Sequence, residues 1–477
     1  MSDAKLHSWI DGGPWQTGNG ADQDLVSPWD GEPRGTVRGG GQAGADAAVA
    51  AASSAFRANR QATIAKRSEW LERAAVEVEG REGEIVAACI GDIGKPRRAA
   101  TFEVRRTAAF MRGVARQVHG LAGEMIPLDS SPMGANRLGF AQRLPYGVVA
   151  AITPFNAPAN LLMQKAAPAL AVGNAIVIKP SPEGARVALI LAECFGAAGL
   201  PKGLFNVVCG GVPEATVLAA HRGIALVTVT GGTAAGEALA RVAGAKKFIG
   251  ELGGNSPNIV LADANLADAA QRIAASAFEA SGQQCISAQR VIVDASVYDT
   301  FLNLFIGEAR KLKVGDPADQ ATDLGPVVHA RAADRIMASI EESVASGARL
   351  LLGGTRHGCT IPPTVLADCP ETCRVVQEEI FGPAAAVMRA RDAEHALALA
   401  NDCESGLQAA LFTHDIDLAF DLAGRLETGS VWINEGSRFR LDNYPFGGVG
   451  RSGHGREGVR YALEEYTQWK FTGVRLA

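Results

Sequence analysis

Aromatic side chains are scarce, at 6% of the 477 residues, and no apolar run approaches the ~18 residues that a membrane-spanning helix needs. No strong charge of one sign is present either. The net charge of -5 supplies no basic field for nucleic acid or an anionic membrane. Cysteine is sparse: Cys89, Cys194, Cys209, Cys285, Cys359, Cys369, Cys373 and Cys403 are too scattered for a disulfide scaffold and suit a reducing compartment. Their one local cluster, His357 and Cys359 followed by Cys369 and Cys373, matches no common zinc spacing and is interrupted by Pro362-Pro363, so no metal is expected. The segment Met1–His7 lacks the basic-then-apolar order of a signal peptide, and a cytoplasmic location is the expectation. What the chain does have is glycine, 55 residues of it, with 47% hydrophobic and 20% charged residues. That balance is ordinary for a folded protein of two or three domain-sized units.

The pattern along the chain is helical first. An alanine-rich amphipathic stretch over 43–60 is followed by further helical pattern to about His119. Asp129-Ser130-Ser131-Pro132 reads as a turn, and Asn136–Leu144 alternates like a hairpin arm. Then β-branched runs at Gly147–Thr153 and Asn174–Lys179 flank a helical stretch, Leu161–Val172. The alternation continues with strands at 203–209, 224–230 and 247–252 and helices at 184–198, 213–221 and 234–243. Strand–helix–strand units imply a parallel sheet covered on both faces, the arrangement of nucleotide-binding α/β domains. A second α/β unit starts near Gly253, with strands at 256–261, 290–293 and 431–434 and helices at 266–281 and 297–313. The tail Tyr466–Val474 alternates like a strand that needs a partner, for which a second subunit is the expected candidate. No internal repeat or low-complexity segment is present.

Several segments carry chemistry. Thr230-Gly231-Gly232-Thr233-Ala234-Ala235-Gly236 lies between a predicted strand and a predicted helix, where glycines let helix N–H groups approach a phosphate. It departs from G-x-G-x-x-G at Thr233 and is weak evidence alone. Glu251-Leu252-Gly253-Gly254-Asn255 sets a carboxylate beside two glycines, which reads equally as a turn. Gly282-Gln283-Gln284-Cys285 holds a cysteine that, alone, reads as a small hydrophobe. A cysteine and a carboxylate brought together supply a nucleophile and a base, the pair needed to form and hydrolyse a thioester.

Taken with Thr153-Pro154-Phe155-Asn156, Lys179-Pro180-Ser181, Glu378-Glu379-Ile380-Phe381-Gly382-Pro383 and Pro445-Phe446-Gly447-Gly448, these segments resemble the aldehyde dehydrogenase superfamily, in order and spacing, from the alanine-rich helix to the C-terminus. The resemblance implies an α/β fold. A doubly wound, Rossmann-like coenzyme domain would cover 1–126 and 146–252, and a second α/β catalytic domain 253–458. A small β oligomerisation arm, 127–145 with 459–477, would pair between neighbours in a homodimer or homotetramer. It implies oxidation of a small aldehyde to the carboxylic acid with NAD or NADP, through a thiohemiacetal and a thioester on Cys285. Asn156 and the Cys285 N–H match the oxyanion donors, and Glu251 the base for deacylation. Thr153, Lys179, Gly231, Gly232, Gly236, Leu252, Glu379 and Phe381 match the coenzyme site. Glu251 argues against a CoA-acylating semialdehyde dehydrogenase. Retention of Cys285, Asn156, Glu251 and Glu379 argues against a non-enzymatic scaffold on this fold. Neither nucleic acid nor membrane is expected as a partner.

Departures from the family pattern are specific. Members that prefer NAD usually carry glutamate three positions after the lysine; here that position is Pro182, with Glu183 one residue on. Gly232 stands where a serine is expected in the pyrophosphate turn, and Gly450-Arg451 replaces a more usual lysine pattern. Five residues before Pro445, where many relatives have an aromatic, stands Arg440. It is expected to anchor an anionic substrate, unless Asp442 or Glu435 pairs with it. Ala157 and Gln164 are expected to widen the substrate entry, and Arg105 and Arg106 to be candidates for a second cation. Alkylating reagents are expected to label Cys285 ahead of the other thiols.

Overall fold

The computed structural model describes residues 5–476. Residues 1–4 and 477, the outermost ends of the first and last expected segments, lie outside the described residues. Two large sheets organise the chain. The first has eight strands in the order 453–454, 247–251, 226–230, 148–153, 175–180, 205–207, 8–10, 13–15, and the central five are parallel. Val148–Thr153 and Ala175–Pro180 are buried at every residue, as a sheet covered on both faces requires. The helix between them, Pro158–Ala171, is also buried throughout, and a proline at its first turn fits that position because the missing N–H would have no partner there.

In the first sheet the chain runs outward from 148–153 to 205–207, then returns to lay 226–230 on the other side of 148–153. The direction therefore reverses between Val148–Thr153 and Leu226–Thr230. A crevice opens where the carboxyl ends of two such strands diverge, and those ends carry Thr153–Asn156 and Thr230–Gly232.

The second sheet has seven strands in the order 349–352, 364–367, 384–390, 288–294, 256–260, 408–412, 430–433, parallel apart from the first pair. It meets the crevice with the amino ends of two strands: Cys285 precedes Ala288–Asp294, and Phe381 precedes Ala384–Ala390. All of its strands come from 253–458. Gly453–His454 of that span, however, adds an antiparallel edge strand to the first sheet.

Two expectations are corrected by the pairing. The C-terminal strand Thr467–Arg475 pairs with Arg137–Pro145 of its own chain, from Thr467↔Pro145 to Arg475↔Arg137, rather than with a neighbour. The preceding helix, Val459–Glu465, places Ala462 and Leu463 in the first core, and the Asn174 side chain donates to the Tyr466 carbonyl at 2.9 Å. The tail is thus delivered beside the arm. The first residues of 459–477 accordingly belong to that core and not to the arm. Among the described residues no helix is long and apolar enough to cross a membrane, and no cluster of His, Cys, Asp or Glu could hold a metal ion.

Candidate active site

The helix expected over 266–281 ends at Phe278. Ala280, Ser281 and Gly282 then take φ of 51°, 57° and 66°, three consecutive residues in the left-handed region. Two of them carry a Cβ, so this backbone is held by its surroundings at a cost of order 1–3 kcal/mol per strained residue. Ser281 Oγ donates to the Gly325 carbonyl at 2.8 Å, Ser287 Oγ donates to the Gly282 carbonyl at 3.1 Å, and the Gln283 side chain accepts from Val328 N–H at 3.0 Å. A Cβ on Gly282 would lie 2.1 Å from the Gly382 carbonyl oxygen, so the cysteine loop and the Glu379–Pro383 segment interlock backbone to backbone.

Cys285 emerges from this loop half-buried, at the meeting of two cavities. The larger, about 740 Å3, is lined by Thr153, Lys179, Gly231, Gly232, Leu252, Glu379 and Phe381. Gly236 does not line it. Its place is structural, since a Cβ there would come within 2.2 Å of the Leu252 side chain. Gly231 and Gly232 precede the helix Thr233–Ala243, whose first turn has no side-chain cap, and a Cβ at either glycine would meet nothing within 4 Å. Uncapped N–H groups at a helix start, with bare glycines before them, suit a pyrophosphate. Farther along, burial pulls the Lys179 ammonium down to about 8 against Glu214 and Glu183, and no carboxylate among the described residues lies within ion-pairing distance of it. At the opposite end Gly254 N–H donates to Glu379 at 3.2 Å, while burial pushes that carboxyl up to about 7. Phe155 and Phe381 meet edge to face, 6.0 Å between centroids. A nicotinamide dinucleotide fits this lining, which offers phosphate donors at the glycine turn, the cations Lys179, Arg331 and Arg335, and a carboxylate with aromatic rings in the same cavity as Cys285.

The smaller cavity, about 240 Å3, lies on the other side of Cys285 and is lined by Asn156, Ala157, Lys95, Arg106, Glu279, Arg438 and Arg440. The Asn156 amide donates to the Gln283 carbonyl at 2.8 Å, which fixes it beside the cysteine loop with its second N–H still available. Glu251 ends the strand Lys247–Glu251, 4% exposed and with neither carboxylate oxygen hydrogen-bonded. Burial, then the charge of Glu457, push its carboxyl well above the usual carboxylate range. Burial and the Glu379 carboxylate push the Cys285 thiol up to about 12.

Two expected substrate residues are corrected. Gln164 is fully buried and lines neither cavity; its amide donates to Asp442 at 2.9 Å. Arg440 does line the smaller cavity, but one guanidinium nitrogen is held by Glu457 at 2.8 Å and the group lies 3.7 Å over the Phe446 ring, with Nε buried and without a partner. Neither expected alternative pairs with it, because Asp442 is held by Arg106, at 2.7 and 3.1 Å, and Glu435 by Arg272 at 2.7 Å. Arg105 faces away and pairs with Glu82. Lys95, Lys165, Arg438 and Glu457 were not singled out by their sequence. Arg438 lay two positions from Arg440 in a segment already of interest, whereas Lys165 and Glu457 meet across 292 residues with no local signal.

A doubly wound sheet ending in a dinucleotide cavity, with a half-buried cysteine and an unpaired glutamate among its lining, is the arrangement of a nicotinamide-dependent oxidoreductase. The model of the aldehyde dehydrogenase family matches residues 15–472, and this chain belongs to that family. It is 36% identical to a 3-sulfolactaldehyde dehydrogenase of Priestia megaterium, over 100% of this chain and 99% of the relative. An NADP-dependent glyceraldehyde-3-phosphate dehydrogenase from Bacillus halodurans, solved with NADP, superposes with a TM-score of 0.97 at 34% identity, covering all of both chains. An aldehyde dehydrogenase from Physcomitrella patens, solved with its reaction product succinate, superposes at 0.94 with 32% identity, covering 100% and 99%. The protein is an aldehyde dehydrogenase that oxidises an aldehyde to the acid with NAD or NADP.

Proposed function

We propose that Cys285, Asn156 and Glu251 carry out the reaction and that the aldehyde bears an anion. The observation that carries the first part is the position of Cys285 between the two cavities, with Asn156 beside it and an unpaired buried carboxylate nearby. The Cys285 thiol loses its proton to solvent water, its thiolate adds to the aldehyde carbon as the carbonyl π bond breaks, and the Asn156 amide with the Cys285 N–H donates to the resulting oxyanion. A bound nicotinamide would accept the hydride that leaves this carbon. Thr153, Lys179, Gly231, Gly232, Leu252, Glu379 and Phe381 would hold the coenzyme. The remaining thioester is hydrolysed by water that gives its proton to Glu251, which leaves a carboxylate product and the free Cys285 sulfur. A CoA-acylating reaction is not favoured, because Glu251 stands ready for water.

The anionic substrate is supported by relatives named for 3-sulfolactaldehyde and glyceraldehyde 3-phosphate, and by the cations Lys95, Arg106 and Arg438 around the smaller cavity, each of which is paired with a carboxylate, Glu103, Asp442 and Glu279 in turn. Arg440 is likewise paired, with Glu457, and is the more deeply buried, so Arg438 takes the anchoring role. It sits nearer the opening, with its side chain 25% exposed, and holds Gln284 at 3.0 Å and Glu279. Arg438→Met should raise KM for an aldehyde ending in a carboxylate by about 10- to 100-fold, some 1.5–3 kcal/mol, and leave a methyl-ended analogue nearly unchanged. Equal losses on both aldehydes would remove Arg438 from recognition.

NADP is expected to be well accepted. Pro182 places no carboxylate at the position that would repel a 2′-phosphate, and Lys179 supplies an unpaired cation; Glu183, which also lines the cavity, limits the preference. NADP should give more than ~1% of the NAD-dependent kcat/KM, that is, less than about 2.7 kcal/mol of discrimination. The Lys179 charge is present below about pH 8 and lost above it. The ratio of NADP- to NAD-dependent kcat/KM should therefore fall between pH 7 and 9, and Lys179→Met should flatten that fall. A ratio independent of pH in the unmutated enzyme would count against Lys179 as the phosphate's partner.

The coenzyme domain follows the first sheet, within 5–123 and 146–252, and the catalytic domain the second sheet within 253–458. The arm, built from Glu124–Ile126, Arg137–Pro145 and Thr467–Arg475, exposes Met125, Leu138, Trp469, Phe471 and Val474. A sheet of this size with bare apolar side chains and open edges supports a homodimer or homotetramer built through it. Eight free thiols agree with a cytoplasmic setting.

A further inference from the structure

We propose that Arg440 is a positioning residue for deacylation, which acts through Glu457 on Glu251 and takes no part in holding the substrate. The inference rests on the reading of Glu251 as the base.

The geometry is that of a closed charge cluster. Glu457 is buried, and each of its carboxylate oxygens holds one cation: Lys165 at 3.1 Å and Arg440 at 2.8 Å. Lys165 is 1% exposed, and the Arg440 side chain 8%. The backbone of Glu457 bridges that of Phe446, with N–H to carbonyl distances of 2.6 and 3.0 Å, so the cluster is fixed to the Pro445–Gly448 segment. The next residue there, Gly447, makes room for the base. A Cβ on Gly447 would lie 2.9 Å from Glu251 Oε1 and 3.0 Å from the Arg456 side chain. The charged and titratable groups around Glu251 are therefore Lys165 on the helix Pro158–Ala171, Arg440 on the loop before Pro445, and Arg456 and Glu457 after the motif, with Tyr466 and Cys285 beyond. The Arg456 guanidinium is turned to the Gly448 and Gly455 carbonyls.

Charge balance gives Arg440 its task. Lys165 and Glu457 form a neutral pair, so without Arg440 an ionised, unbonded and buried Glu251 would be compensated by Arg456 alone, whose guanidinium is turned away to backbone carbonyls. Arg440 adds a second positive charge. The cluster is then net positive even when Glu251 is ionised, which favours that state, the one that accepts a proton from water. Burial pushes the Glu457 carboxyl up, but Lys165 and Arg440 more than reverse this and leave it below the ordinary range, so Glu457 stays the permanent anion and Glu251 the one that titrates. Each deacylation moves one proton from water to a Glu251 oxygen as the water oxygen bonds to the acyl carbon. The carbon–sulfur bond breaks, and the electron pair returns to Cys285 sulfur.

The test compares kcat as a function of pH, and the first-turnover burst of reduced coenzyme, in the unmutated enzyme and in Arg440→Met, Arg440→Gln, Arg440→Lys and Glu251→Gln. A carboxylate-ended and a methyl-ended aldehyde are used with each. Arg440→Met and Arg440→Gln should keep the burst, which reports a folded site. Their acidic limb of kcat should move to higher pH by about one unit, so that neutral-pH turnover falls about tenfold, equally for both aldehydes. Arg440→Lys should restore most of the original profile. An unshifted profile in the two neutral variants, or a loss confined to KM for the carboxylate-ended aldehyde, overturns the inference while a stalled Glu251→Gln leaves the base in place. Steady turnover in Glu251→Gln overturns the base and the inference together.

Discussion

Cys285→Ala should lose steady aldehyde oxidation by a factor on the order of 10⁴ or more with either coenzyme, read as reduced coenzyme formed, because no other group at the junction of the cavities can form the thioester. The coenzyme should still bind, since none of its expected contacts is removed, and unchanged coenzyme affinity would show the loss to be chemical. Residual turnover within a hundredfold of the unmutated enzyme would exclude Cys285 as nucleophile. Selective alkylation is a less decisive test than the sequence suggests. Cys359 and Cys403 are half-buried like Cys285, and the Cys285 thiol is pushed up to about 12 by burial and Glu379. Little thiolate exists at pH 7 in the resting site, and a thiolate is what reagents attack. Labelling of Cys285 should therefore rise steeply toward alkaline pH.

The parallel sheets were legible because their strands are buried on both faces and so read as continuous apolar runs. Val148–Thr153 and Ala175–Pro180 fall within one residue of the runs seen in sequence. Less legible was anything decided by partners distant in the chain. Gly453–His454 has no strand signature, and only the open edge of Lys247–Glu251 makes it one. The tail reads as a strand but not whose strand. Its pairing with Arg137–Pro145 depends on a helix, Val459–Glu465, that anchors in the first core. Ala280 and Ser281 of the Ala280–Gly282 turn were read as helix, because alanine and serine carry no sign of positive φ when tertiary contacts impose it.

The site divides in the same way. Residues that a local motif singles out come together in space. Thr153, Lys179, Gly231, Gly232, Glu379 and Phe381 surround one cavity, and Cys285 and Asn156 stand at its end. The substrate side depends on which charge meets which. Arg440 is conspicuous in sequence as a cation replacing an aromatic, yet the nature of its counter-ion could not be read there. Asp442 and Glu435 were nearest in sequence, but Glu457, bridged to Phe446 across a turn, is the one in place. Gln164 likewise sits one helical turn beyond Asn160 and Leu161, which do line the cavity, and is tied to Asp442.

Glu251→Gln should pass one hydride per active site and then stall. The amide is nearly the shape of the carboxylate and leaves Cys285 and Asn156 untouched, so acylation proceeds. It cannot take a proton from water, so hydrolysis of the thioester loses its base, a contribution of roughly 10²- to 10⁴-fold. The expected record is a burst of reduced coenzyme equal to the enzyme present, followed by a steady rate lower by that factor. Added small thiols should raise the steady rate, because they attack the acyl-enzyme without needing the base. The burial of Glu251, with no hydrogen bond to either oxygen, adds a second signature in the unmutated enzyme. Its carboxyl is held well above the usual range, so it is protonated at mildly acidic pH and ionises as pH rises. Turnover of the unmutated enzyme should climb with pH along this limb while the burst persists below it, and Glu251→Gln should show no such limb. A steady rate in Glu251→Gln like that of the unmutated enzyme would assign the proton from water to another group, and loss of the burst itself would place Glu251 in acylation instead of deacylation.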